Sequence, residues 1–301
     1  MTRRFRATAA LAVAAGLVAA TAGCSSAGSD RPVVAVTTNI LGDVVTEVVG
    51  DAAEVMVLMP AGADPHSFEV SAQEAARLRS ADLVVENGLG LEEGIARHVE
   101  AAASDGVPVF TAGEHVDALE WTTEDDSGPD PHLWTDPARM VDVVEALDDA
   151  LRDAGVEPSR TDAYLDELAT LDTDMSDAFA GIPEDRRALV TNHHVFGYLA
   201  DRYDFRVVGA VIPSGTSLAS PSAADLRDLA SAIDEAGVPT IFADLSQPAR
   251  LAEVLADEVD VHVEIRRLAS ESLTEDGGAS TYLGMMRSNT AAIVDGLSIS
   301  N

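Results

Sequence analysis

The chain has 301 residues, of which 52 are acidic, 19 are basic and none is lysine, for a formal net charge of −33. A surface of that sign repels phosphate, which argues against nucleic acid as a partner, and the single cysteine excludes a disulfide within one chain. Apolar residues make up 47%, enough for real cores, and the length predicts two domains or one large one.

The N-terminus predicts export. Arg3, Arg4 and Arg6 form a basic start, followed over residues 7–20 by an apolar stretch too short to span a bilayer comfortably. Thr21-Ala22-Gly23-Cys24 resembles a lipoprotein processing box, in which the cysteine is lipidated and becomes the new N-terminus; Thr21 stands where an aliphatic residue is usual. Cys24 is therefore the expected lipidation site, with residues 1–23 as signal peptide and the small, polar 24–32 as a flexible tether. The expected location is the outer face of the cell membrane, held by the lipid, since no later segment is apolar for long enough to cross.

Beyond the tether, short β-branched runs alternate with helical composition. Residues 33–37, 54–58, 83–85 and 107–110 read as buried strands, separated by helical segments such as 71–79 and 91–103. Tyr164, Leu168, Leu171, Met175 and Phe179 then recur at spacings of three or four between Glu157-Pro158-Ser159 and Gly181-Ile182-Pro183, which predicts one long helix. Strand-like runs resume at 188–191, 206–211, 240–242 and 261–265. A helix start at Ser220-Pro221 puts proline at the first helical position, with Leu226, Leu229, Ala230 and Ile233 as its buried stripe. The expected fold class is α/β: two (β/α)4-type lobes with parallel sheets, over 33–157 and 183–301, joined by a linker helix over 158–182. Sheets of this kind collect ligands at the carboxyl ends of their strands.

Two Asp-Pro-His tripeptides, Asp64-Pro65-His66 and Asp130-Pro131-His132, and a His193-His194 pair hold four of the seven histidines. Proline fixes φ and breaks regular structure, so each tripeptide sets its histidine on a constrained turn, and neutral imidazole is a favoured ligand of zinc and related divalent ions. His66 and His193 follow predicted strands, and His132 follows an acidic loop over 124–130; all lie where open α/β sheets build sites. Asp-Pro-X is also an ordinary turn signal, so the tripeptides alone do not establish a site.

Taken together, several segments give the chain a close resemblance to the metal-binding lipoproteins that serve as solute receptors for bacterial zinc and manganese ABC importers. The matching stretches are 60–69, Asn87-Gly88-Leu89-Gly90-Leu91-Glu92, 130–137, 191–198, Ile241-Phe242-Ala243-Asp244, and Tyr282-Leu283-Gly284-Met285-Met286 with Asn289. They span nearly the whole of the chain from residue 33 onward. The resemblance implies a divalent cation as transported ligand, held by His66, His132, His193 and a fourth ligand in the segment Ser270-Glu271-Ser272-Leu273. Glu271 replaces the family's usual aspartate there, and Asp244, where the family usually has glutamate, is a competing carboxylate. Three imidazoles and one carboxylate suit four-coordinate zinc, with manganese the alternative. His98, His115, His194 and His262 read as surface or packing residues.

The implied partners are a membrane permease and its ATPase, with the receptor a monomer that binds no nucleic acid and catalyses no reaction. Two other classes remain open on sequence. A secreted zinc hydrolase could use the same donors, but it would keep one position open for water, and the chain has neither a His-Glu-x-x-His helix nor a serine nucleophile elbow. A surface adhesin could share the fold.

Overall fold

A computed structural model describes residues 31–122 and 127–298. The signal peptide, Cys24 and most of the tether lie outside the described residues, as does part of the acidic loop before His132.

In the first half, strands β1 (Val33–Val36), β2 (Glu54–Val57), β3 (Leu83–Glu86) and β4 (Val109–Thr111) form a parallel sheet in the order β2-β1-β3-β4. Helices α1 (Asn39–Val49), α2 (Ala72–Leu78) and α3 (Ala96–Ser104) connect them. A short antiparallel hairpin, β5 (Glu120–Thr122) with β6 (Ser127–Pro129), leads to helix α4 (Pro137–Asp153). The linker helix α5 runs over Thr161–Ala180. In the second half β7 (Ala188–Thr191), α6 (Gly197–Tyr203), β8 (Arg206–Ala210), α7 (Ala223–Ala236), β9 (Thr240–Asp244), α8 (Arg250–Glu258) and β10 (Glu264–Leu268) give a second parallel sheet, ordered β10-β9-β7-β8. Helix α9 (Tyr282–Leu297) follows. Counted from its own first strand, each sheet has the same order, 2-1-3-4, so the lobes repeat one topology.

Strand alternation sorts side chains into layers, because successive residues face opposite sides of a sheet. Val34 and Val36 of β1, Leu83 and Val85 of β3, Leu189 of β7 and Phe242 of β9 all enter one central core. That core is filled by α1, α4, α5, α6 and α9, including every member of the predicted α5 stripe from Tyr164 to Phe179. The opposite faces are covered separately: Ala35 and Val84 under α2 and α3, and Ile241 and Ala243 under α7 and α8. Both sheets thus share one helical layer between them.

Helix starts follow local chemistry. Ser71 caps α2 and Ser222 caps α7, each in a capping box, with Glu74 and Asp225 reaching back to the cap backbone. The cap at Ser222 places Pro221 just outside α7, not at its first helical position as the sequence suggests. Three other expectations shift. The run 261–265 pairs only from Glu264 onward, because Val261 and Val263 pack against the outer core before the ladder with β9 begins. The helix expected over 91–103 begins at Ala96, since Gly88, Leu89 and Gly90 all take positive φ and Glu92 folds back onto the amides of Asn87 and Gly88. The loop expected before His132 contains strand β6, which pairs with β5 just ahead of it.

Candidate metal centre

The carboxyl ends of the two sheets face one another, and four side chains meet there. His66 lies on the turn after β2, His132 on the turn after β6, His193 just past β7, and Glu271 three residues past β10. Their relative exposures are 1%, 0%, 0% and 1%, so an ion among them would be wholly enclosed. The Nε2 atoms of His66 and His132 are 3.4 Å apart, and those of His132 and His193 3.3 Å. Glu271 faces all three: Oε2 lies 3.3 Å from His66 Nε2, while Oε1 lies 3.3 Å from His132 Nε2 and 3.4 Å from His193 Nε2.

Among the described residues, four polar atoms of this cluster lack a hydrogen-bond partner. Both Glu271 oxygens are buried without a well-formed hydrogen bond, as are Nδ1 of His66 and of His193. A buried carboxylate left so is costly unless a cation neutralises it. A tetrahedron with metal–ligand bonds of about 2.0–2.1 Å has edges of about 3.3–3.4 Å, the same as the five separations just given, to which Glu271 contributes one through Oε2 and two through Oε1.

The two Asp-Pro-His turns explain how imidazoles are aimed. In each, the aspartate accepts the histidine's own backbone N–H, from His66 to Asp64 Oδ1 at 2.9 Å and from His132 to Asp130 Oδ1 at 3.0 Å, an Asx turn with proline between. Asp130 Oδ1 also lies 2.7 Å from His132 Nδ1. An imidazole donating Nδ1–H to that carboxylate turns its Nε2 lone pair into the cluster. The Asp130 backbone carbonyl accepts Tyr198 O–H at 2.7 Å. Gly197 packs so close to the Asp130 carboxylate that any Cβ there would collide with it.

The Glu271 loop is strapped from both sides. Asp244 Oδ2 accepts Ser270 N at 3.0 Å and its hydroxyl at 2.5 Å, and Oδ1 takes both donors of Ser246. The competing carboxylate is thus committed to hydrogen bonds and stays outside the cluster. From the other lobe, Asn39 donates to Ser272 Oγ at 2.7 Å and accepts Leu273 N at 2.9 Å, Gly62 N donates to Leu273 O at 2.9 Å, and Trp134 Nε1 donates to Ser270 O at 2.9 Å. No spacing rule in the sequence marks Asn39, Trp134 or Ser270 for this work.

The carboxylate and the imidazoles of the cluster shift one another's titration. Burial pushes the Glu271 carboxyl up, but the imidazoles of His193 and His132 outweigh it and hold the group well below the usual range. Burial pulls His66 down, yet the Glu271 carboxylate, helped by Asp64, holds it above the ordinary value. The other histidines stay apart. His98 and His194 are half-buried, His115 is exposed and stacked on Phe110 at 4.8 Å between ring centroids, and His262 is exposed. Burial lowers the pKa of His194.

A family model described as "Zinc-uptake complex component A periplasmic" matches residues 34–296. The chain belongs to this family. It is accordingly a metal-binding solute receptor and not an enzyme. Among its relatives, the manganese-binding lipoprotein MntA of Halalkalibacterium halodurans is 29% identical over 291 residues, covering 95% of each chain. The zinc-binding protein TroA of Treponema pallidum is 29% identical over 301 residues, covering 96% of each. The solved structure of that periplasmic zinc-binding protein superposes with a TM-score of 0.79, covering 89% of this chain and all of the other. A Mn-bound periplasmic metal-binding protein from Candidatus Liberibacter asiaticus, 25% identical, gives 0.78 over the same share. Among the described residues, no helix is long and apolar enough to cross a membrane.

Proposed function

We propose that this receptor captures one zinc ion between its lobes, with His66, His132, His193 and Glu271 as the four ligands, and delivers it to the permease of an ABC importer driven by an ATPase. The observation that carries this reading is the group of three imidazoles and one carboxylate, all buried, whose ligand atoms lie within 4.8 Å of one another. Three imidazoles with a single carboxylate suit zinc. Two ligands come from each half of the chain, so binding energy is coupled to keeping the lobes together. Export, a lipid anchor on Cys24 and a monomeric state complete the proposal.

One observation favours manganese as a second reading. Both oxygens of Glu271 turn toward imidazoles, so the carboxylate could bind through two atoms and raise the coordination number, which suits a harder ion. The relatives named for zinc and for manganese support each choice alike. Elemental analysis of protein purified without added metal, followed by zinc–manganese competition, tests the choice. One zinc per chain that manganese fails to displace is the expected result; preferential retention of manganese would reverse it, and retention of neither would reject the site.

A further inference from the structure

The two Asp-Pro-His turns share their backbone construction and then diverge. Asp130 spends its Oδ1 on the His132 amide and on the ring nitrogen of the same residue. Asp64 gives Oδ1 to the His66 amide only, leaving the His66 ring Nδ1 without a partner, and turns Oδ2 across the cleft. There it accepts the hydroxyl of Ser217 at 2.5 Å and the side-chain amide of Gln247.

Ser217 lies between β8 and α7, and Gln247 between β9 and α8. One carboxylate of the first lobe therefore gathers donors from two separate loops of the second. Each loop is fastened within its own lobe: Ser214 O accepts His194 N at 3.1 Å, beside the third imidazole, and Gln247 O accepts from Arg267 at 2.9 Å. Asp64 is 9% exposed, and the charge is met by neutral donors, with no arginine on it among the described residues. Hydrogen bonds to an ionised acceptor are the stronger kind. Only Pro65 separates this carboxylate's residue from His66.

We infer that Asp64 is a positioning residue that latches the lobes over the cargo ion, one oxygen building the turn that presents His66 and the other holding Ser217 and Gln247 of the opposite lobe. Parting the lobes and loosening the first imidazole are then one event. The latch rests on the proposed four-ligand site and sets how fast the ion leaves.

The test uses Ser217→Ala, Gln247→Ala and their double variant, none of which removes a proposed ligand. Zinc is loaded onto the full protein and its release into excess chelator is followed by stopped flow. The double variant is expected to release zinc about tenfold faster or more, with the association rate within about threefold of the parent. Ser217→Thr, which keeps the hydroxyl, is expected to retain the parent rate. Hydrogen exchange of the metal-free protein supplies a readout that needs no ion: amides over 212–218 are expected to exchange faster in the double variant. Release within about twofold of the parent would overturn the latch, as would unchanged exchange in that loop. A parent that takes up no zinc would overturn the four-ligand reading itself, and the exchange comparison would still decide whether Asp64 ties the lobes.

Discussion

Asp130→Asn isolates the charge behind the second imidazole while leaving size and turn geometry nearly intact. The carboxylate accepts the His132 amide at 3.0 Å and lies 2.7 Å from Nδ1. A hydrogen bond to an ionised group contributes about 1.5–3 kcal/mol and one to a neutral group about 0.5–1.5 kcal/mol. Losing the charge therefore costs about 1–1.5 kcal/mol, or about tenfold in zinc affinity. Where the new amide turns its NH2 toward Nδ1, the ring proton moves to Nε2, which faces the ion, and the loss reaches about 100-fold. Competition against a chromophoric chelator near neutral pH measures the change, and thermal melting of the metal-free protein serves as control. Unchanged affinity would refute the tautomer argument. So would an affinity loss matched by an equal loss of metal-free stability, because Asp130 would then serve the fold and not the ligand.

His193→Ala removes one of four donors; if structural zinc binding contributes about 10–16 kcal/mol in all, a quarter is about 3 kcal/mol, so competition titration should show affinity falling by about two decades or more. His66→Ala should behave alike, with circular dichroism of either metal-free variant unchanged. Zinc affinity should rise with pH, because His66 holds its proton above the ordinary value near pH 6.5 and must lose it to bind. The same pair sets the metal-free protein: the His66 contribution is full below about pH 6.5 and fades as pH rises through the raised value, while that of Glu271 is present above about pH 4.5 and fades as pH falls. The increase in Tm on adding zinc should therefore be larger at about pH 8 than at about pH 5.5, and an increase independent of pH would contradict the ligand set. Leu168→Ala, in the fully buried stripe of α5, should lower unfolding free energy by about 2–5 kcal/mol in denaturant melts without changing zinc stoichiometry.

The parallel lobes were legible because central strands such as Val33–Val36 and Ala188–Thr191 are largely buried on both faces and read as short, mostly apolar runs. The α5 helix was legible from its 3.6-residue stripe. Boundaries failed where a side chain competed with the backbone pattern: Glu92 bends the chain back before α3, and Ser222 takes the cap that Pro221 suggested would lie earlier. At the candidate site, the Asp-Pro-His turns drew attention to His66 and His132 without marking them as ligands, a role that came from likeness to a family, whereas Glu271 carried no signal apart from that likeness. A lone glutamate in Ser270-Glu271-Ser272 carries no period and no breaker; its place is set by Asn39, Gly62, Trp134 and Asp244, which are distant in sequence. Contacts of that range leave no local signal, and the Asp64 link to Ser217 and Gln247 was hidden for the same reason.

The helices held in common by both sheets also govern how the molecule comes apart. Neither half owns the inner covering of its sheet, because Val34, Tyr164, Phe242 and Ile293 belong to one continuous apolar mass. A polypeptide severed in the turn before α5 would yield two fragments with bare greasy flanks, fit to cling to each other or to precipitate and unfit to work singly. Heating should accordingly produce one calorimetric peak for the whole body, with cargo carriage and structural integrity lost at the same temperature.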